Sequence, residues 1–309
     1  MNVVLTNFNP SSDSGPNSFS KGLFNSLLED SKIRLVDSFE KADIEFSLIE
    51  SLFPKTIPRI TRLDGIYFNT SQDYNLLNTN IKKTYLESDS VVFQSEFNKD
   101  LITSWFGEHE SSYVISNGAN THLIDKIEPA DMKETFGDKE IWVCASSWRP
   151  HKRLRENIRY FIEKASDRSV LLVAGKGATK EDFLGYESLI NNRIFYLGHL
   201  PWKSLISIYK TSSTFVHLAF LDHCPNVVVD AAACDCTIVC SSSGGTKEIS
   251  SLEKVVIDDL DWDFSPLDLY SPPPLDFENY LKILCDKSYN LNNAAEMYFS
   301  AMEKLIEKS

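Results

Sequence analysis

The stretch FVHLAFLDHCPNVVVDAAACDCTIVCSSSGGTKEI (215–249) carries the residues best spaced for chemistry. Its apolar start reads as a buried strand ending at Phe220. A short loop, Leu221-Asp222-His223-Cys224, leads into Pro225, and a helix follows. Proline at the first helical position loses nothing, because the N–H there would be unpaired anyway. The N–H groups of Asn226 and Val227 then point out of the helix end. With the positive end of the helix dipole they form an anion site suited to a phosphate. Asp222 sits just before this end. Asp230 is the only charge in the run VVVDAAAC. A carboxylate in such a run needs a partner, and ribose hydroxyls, which donate two hydrogen bonds to one carboxylate, are a good candidate. A structural alternative stands beside this: Asp222 caps the helix, and Asp230 pairs with a nearby Lys or Arg.

A second cluster is WRPHKRL (148–154). Arg149 and Lys152 are three apart and share one face where a helix begins. A planar guanidinium and a point-charge ammonium together clamp a diphosphate. The alternative is a solvated basic helix start that also takes in Arg153 and Arg155. VLLVAGKG (170–177) holds Gly175, but G-x-G without G-K-[ST] is a weak phosphate-loop signal. His151, His199 and His223 fall in loops at the same strand ends as these residues.

Strands and helices must hold these loops in place. Short apolar runs alternate with amphipathic ones from end to end: NVVLTN, IRLVDS, IEFSLIE, PRITRLDG, VVFQS and YVIS, then IWVCAS, SVLLVAG, IFYLG, FVHLAF, TIVCSS and KVVI. Helical spacing lies between many of them, as in Phe19, Leu23, Phe24 and Leu27. Such alternation indicates crossover units and parallel sheets. The expected fold is α/β, two Rossmann-like doubly wound domains in tandem. Ligands bind such sheets beyond the carboxyl ends of the strands, so the cleft between two facing sheets is the expected site. The charged, weakly periodic stretch 121–140 reads as the linker. It divides an N-terminal domain, 1–125, from a C-terminal domain, 126–290. The Pro-rich stretch 259–277 reads as a surface loop, and two helices, 277–289 and 291–308, close the chain. The last one, about 291–309, is able to pack back on the first domain.

Composition narrows the function classes. The formal net charge of -13 argues against a nucleic-acid binder, which needs a basic face. No apolar run approaches the ~18 residues of a membrane span, so no stable membrane insertion is expected. The start MNVVLTNFNPSS lacks the basic and long apolar regions of a signal peptide. The six cysteines sit mostly in apolar runs, and Cys234-x-Cys236 is not a metal or redox spacing. They read as reduced thiols of a cytoplasmic protein. No D-x-D cluster stands where a catalytic metal is expected, so no metal and no cofactor are expected.

The segment 215–249 resembles the C-terminal donor site of the retaining GT-B glycosyltransferases of the family 4 type, the glycosyl transferases group 1. Their pattern is an acid, seven residues, a second acid, a small-residue helix, a strand, and a Gly-Gly turn before another acid. It stands here as Asp222-x7-Asp230, AAACDCTIVCSSS, Gly244-Gly245 and Glu248. Both acids are Asp where the family usually has Glu, and Asp235 stands where it usually has Gly. YVISNGANTHLI (113–124) is similar to the family's interdomain segment, and SDSVVFQSEFNKDLI (88–102) to the segment before it. IFYLGHLPWKSLISIYKTSSTFVHL (194–218) precedes AFLDHC at family spacing. The resemblance runs from about residue 88 to the end of the chain.

The resemblance implies a nucleotide-diphospho-sugar donor in the second domain and a glycan or other hydroxyl acceptor in the first. Lys152 carries over directly as a diphosphate ligand. The family's Arg position is Ser147 here, so Arg149 serves only by reaching from two residues later. Asp230 would hold the ribose and Asp222 would lie by the donor sugar. Cys224, Pro225, Asn226 and Val227 would line the donor site, with Gly175 near the base and His199 in the loop beyond. After the first strand the family has a Gly-rich loop. Here Gly15 is followed by Pro16, which cannot donate, and a plain capped loop fits as well. RITRLDGIYFN (59–69) reads as a strand ending in Asp64-Gly65; the family often has a His near this point, where this chain offers Asp64 and Arg62, and Asp-Gly is also an ordinary turn. Two rival functions remain at this level: a non-catalytic sugar- or nucleotide-binding subunit, and a nucleotide-sugar epimerase or hydrolase on the same scaffold.

Overall fold

Runs such as NVVLT, IEFSL and SVVF suit strands covered by helices on both faces, and each is a strand in the computed structural model, which describes residues 1–12, 14–284 and 290–308. Among the described residues the chain forms two α/β units. The first holds the residues up to Asn120, Phe264–Leu267 and the C-terminal helix, and the second holds Thr121–Asp263 and the residues from Asp268 to Leu284.

In the N-terminal unit the elements are β1 (Asn2–Thr6), α1 (Gly15–Glu29), β2 (Arg34–Val36), β3 (Ile44–Leu48), β4 (Arg59–Leu63), α2 (Tyr74–Glu87), β5 (Ser90–Phe93), α3 (Glu96–Phe106) and β6 (Ser112–Val114). The six strands are parallel in the order β2-β1-β3-β4-β5-β6. The C-terminal helix, Leu291–Glu307, lies on this unit. Its Leu291, Ala294, Tyr298 and Met302 share one core with Phe19, Leu23 and Leu27 of α1. Burial of each large side chain there is worth roughly 1.5–3 kcal/mol.

The C-terminal unit opens with two short helices, α4 (Thr121–Asp125) and α5 (Lys133–Phe136), inside the stretch read as the linker. There follow β7 (Glu140–Ala145), α6 (Leu154–Lys164), β8 (Ser169–Ala174), β9 (Ile194–Gly198), α7 (Trp202–Tyr209), β10 (Thr214–His217), α8 (Asn226–Ala233), β11 (Thr237–Ser241), β12 (Glu253–Ile257) and β13 (Tyr280–Leu284). The sheet order is β13-β12-β11-β10-β7-β8-β9. All pairs are parallel except β12 with β13. The chain runs outward from β7 through β8 and β9, then returns to the other side of β7 with β10. The neighbours β7 and β10 therefore mark the switch point, where doubly wound sheets bind ligands.

One expected element is corrected. The helix read at 277–289 is instead a strand over Tyr280–Leu284, antiparallel to β12; residues 285–289, with Cys285, lie outside the described residues. The apolar spacing Tyr280, Leu281, Ile283 and Leu284 fits a helical face. The open backbone edge of β12 offers paired hydrogen bonds to a strand instead, and that pairing overrides local periodicity.

Candidate functional site

The loops after β7 and β10 meet at the switch point of the C-terminal unit. The β7 loop is pinned from below: the Trp148 indole donates to the Ala174 carbonyl at 2.9 Å, and the Phe220 N–H donates to the His151 carbonyl at 2.7 Å. Pro150–Lys152 forms a 3-10 turn, and Arg153 follows in the left-handed conformation with φ 51°. Arg153 is not part of a solvated basic start. Its buried guanidinium takes both oxygens of Asp259, at 2.7 and 3.2 Å, and the Pro273 carbonyl, and it lies over the Phe220 ring. This anchor fixes the reversal into α6 and presents Lys152.

Lys152 and Asp222, seventy residues apart, form an ion pair, Nζ to Oδ2 at 2.5 Å. The same Oδ2 meets His217 Nε2 at 2.8 Å, and Oδ1 accepts from the His223 N–H at 3.1 Å. Burial alone would raise the Asp222 carboxyl, but Lys152 and His217 hold it well below the ordinary carboxylate range. Burial lowers His217, so its neutral ring donates Nε2–H to the carboxylate. His151, stacked on Tyr270, is pushed down to about 3 by burial and by Lys152. The Asp222 carboxylate is thus held by the Lys152 ammonium on one side and the His217 ring on the other.

The helix start differs by one residue from the sequence reading. Pro225 is the cap position and Asn226 is the first helical residue of α8. The first intrahelical bonds run from the Val228 and Val229 N–H groups to the Pro225 carbonyl. The amides of Asn226 and Val227 precede them at the positive end of the helix. No side chain caps α8, so Asp222 is not a capping residue; its carboxylate belongs to Lys152 and His217. Cys224 is buried in the same loop.

Asp230 is half-buried on α8, and its partner is not a cation. Its Oδ2 accepts from the Trp202 indole Nε1–H at 2.9 Å, and no ion pair among the described residues includes it. Its Oδ1 takes no hydrogen bond from the described residues and is not sealed from solvent. Burial raises this carboxyl to about 6, against the opposing effect of the Trp202 N–H. The alternative of a Lys or Arg partner for Asp230 is overturned, because α8 packs beside α7 and its indole rather than beside a basic side chain.

Two glycines allow the loops to close. Gly175, at φ +119°, follows β8, and a methyl there would collide with the Ser146 carbonyl of the β7 loop. A methyl on Gly244 would strike the Asp222 backbone, and the Gly245 N–H donates to the Asp222 carbonyl at 2.8 Å. The Gly-Gly turn therefore seats the Asp222 loop. Arg149 is exposed at the start of the 3-10 turn, and His199 is exposed one residue beyond β9. Sequence reasoning passed over His217 and Trp202. His217 lies inside an apolar strand run, and Trp202 follows Pro201 at a helix start.

Gly15 and Asp64 belong to the N-terminal unit. Gly15 begins α1 behind Ser14, which makes no side-chain cap. Asp64 follows β4 and is held by fully buried Arg62, whose Nε reaches its two oxygens at 3.1 and 3.2 Å. Arg62 also donates to Tyr298 and Asn117 and stacks on Phe19. The charge of Asp64 is met within its own unit.

Residues 115–263 match the family model of glycosyl transferases group 1. A curated relative, the uncharacterized glycosyltransferase MJ1069 of Methanocaldococcus jannaschii, is 24% identical over 177 residues, 54% of this chain and 44% of that protein. The match thus spans less than half of the relative's length. Among solved structures, AviGT4, a glycosyltransferase involved in avilamycin A biosynthesis, aligns over 100% of this chain and 99% of its own, with TM-score 0.64 and 12% identity. Sucrose-phosphate synthase from Thermosynechococcus elongatus aligns over 99% and 92%, with TM-score 0.66 and 12% identity. Anabaena HepE, solved in complex with UDP-glucose, aligns over 99% and 92%, with TM-score 0.59 and 12% identity. The fold is that of the GT-B glycosyltransferases. No helix among the described residues is long and apolar enough to cross a membrane.

Proposed function

We propose that this protein is a glycosyltransferase that moves a sugar from a nucleotide-diphospho-sugar to a glycan or other hydroxyl acceptor, with retention of anomeric configuration. The observation that carries the reading is Asp230. A half-buried carboxylate with one neutral donor and one open oxygen is compensated when a ligand brings hydroxyl groups to it. Lys152 stands at the switch point of the same sheet, and Asp222 is the one hydrogen-bond partner of its ammonium among the described residues. Two of its three N–H groups remain for a diphosphate.

In this reading the bond from the anomeric carbon to the diphosphate oxygen breaks, and negative charge grows on the leaving group. Lys152, the α8 amides at Asn226 and Val227, and Arg149 meet that charge, so transfer needs no divalent ion. Asp230 holds the ribose, and Asp222 lies by the donor sugar while keeping Lys152 in place. The N-terminal unit takes the acceptor. The group 1 match supports the class, and the UDP-glucose held by HepE makes UDP-sugars the first donors to try. A second reading, a sugar-nucleotide-binding subunit without catalysis, is favoured by one feature: the short Asp222 side chain is tied back onto Lys152 and His217. Nucleoside diphosphate release from a panel of nucleotide-sugars, with and without glycan acceptors, separates the two. Acceptor-dependent release with an α- or β-anomer matching the donor supports transfer with retention. Binding without release supports the second reading.

A further inference from the structure

The two carboxylates of the candidate donor site, Asp222 and Asp230, are treated in opposite ways. Asp222 is neutralised by an ammonium, whereas Asp230 is met by an indole. An indole N–H is a donor only and carries no charge. It orients a carboxylate without compensating it. A lysine at the same place would satisfy Asp230 outright and leave no call on a ligand.

We propose that Trp202 is a positioning residue of the nucleoside site: it fixes Oδ2 of Asp230, turns Oδ1 toward the ribose, and so makes donor binding depend on the ribose hydroxyls. This rests on the donor-site reading given above. Trp202 is suited to the task by its place as the first residue of α7, which packs directly on α8. The ring is half-buried and rigid, with two side-chain torsions, so the N–H direction is set by packing. The bond spans two helices and is not made within one. Loss of the indole N–H frees the carboxylate to rotate toward water and lose its aim.

The test uses the full chain and calorimetric titration with UDP, ADP, GDP and CDP. Each nucleotide that binds is compared with its 2′,3′-dideoxy counterpart. Wild type should prefer the ribonucleotide by at least about tenfold, in line with a hydrogen bond to a charged group. Trp202→Phe should reduce that preference to about threefold or less, and Trp202→His, which keeps a ring N–H, should restore part of it. A Trp202→Phe variant that keeps the full preference overturns the proposal while the donor site stands; a wild type that binds a nucleotide with no ribose preference overturns the proposal and the ribose role of Asp230 with it. If wild type binds none of the four, the donor-site reading falls with it. Should Trp202→Phe fail to fold, the indole N–H resonance of Trp202 in 15N-labelled wild type decides. It should shift with pH as Asp230 ionises, and this response should vanish in saturating nucleotide. A resonance indifferent to both overturns the proposal.

Discussion

Replacing Asp230 with asparagine separates a ligand carboxylate from a structural one. Burial pushes the native carboxyl up from 3.8 to about 6. Two pH units at about 1.4 kcal/mol each set a ceiling of about 3 kcal/mol on the cost of keeping it ionised in the fold at pH 7.5. Because Oδ1 stays in reach of solvent, the realised cost is roughly 1–2 kcal/mol. Asparagine keeps an acceptor for the Trp202 N–H and removes the charge. The free variant should therefore melt higher than wild type at pH 7.5, by roughly 2–8 °C for a unit of this size. The sign of the pH dependence follows. The native state binds this proton more tightly than the unfolded chain does. The cost is absent below pH 3.8, grows between 3.8 and about 6, and is constant above. The advantage of the variant should shrink as pH falls toward 4. Stabilisation by added nucleoside diphosphate should fall, since it follows ln(1 + [L]/Kd). Thermal melts at pH 7.5 and 4.5, with and without nucleotide, measure all of this. A variant that melts several degrees lower while keeping its response to nucleotide refutes the reasoning and makes Asp230 structural.

Lys152→Ala should lose on the order of 1.5–3 kcal/mol of nucleoside diphosphate affinity by calorimetry; unchanged binding in a folded variant removes Lys152 from the site. Asp222→Asn should be less stable than wild type at pH 7 by on the order of 2 kcal/mol. The Asp222 carboxyl is depressed, so its contribution is present above the unfolded value of 3.8 and lost as pH falls through the native one. Denaturant curves from pH 7 to pH 2 should show the gap closing, and a constant gap contradicts the ion-pair role. Transfer, once an acceptor is found, should keep its rate in excess chelator, because Lys152 and the start of α8 meet the leaving-group charge; reversible loss of transfer on chelation counts against this.

Much of the fold was legible because parallel strands are apolar throughout, so NVVLT, SVLLVA and TIVCS announce themselves. Strand order was not, and with it the adjacency of β7 and β10 that brings Lys152 to Asp222. Such pairing depends on which strand is neighbour to which, and periodicity is silent on that. Tyr280–Leu284 misled for a related reason: its apolar spacing suits a helix, while the open edge of β12 decides for a strand. Charged residues were legible by type and not by environment. The alternative of a solvated helix start that takes in Arg153 fails because Arg153 is buried against Asp259. Asp230 read rightly as a carboxylate in an apolar run, yet its neutral partner Trp202 comes from another helix. His217 was hidden because one imidazole inside FVHLAF looks like a core residue until Asp222 is seen beside it.

The most direct test of the donor site is a crystal structure of the chain soaked with the nucleoside diphosphate that binds it best. The expected result is a diphosphate within hydrogen-bond distance of Lys152 Nζ and the amides of Asn226 and Val227, with the ribose on Asp230 Oδ1. A nucleotide bound elsewhere, or a ribose that leaves Asp230 untouched at full occupancy, contradicts it.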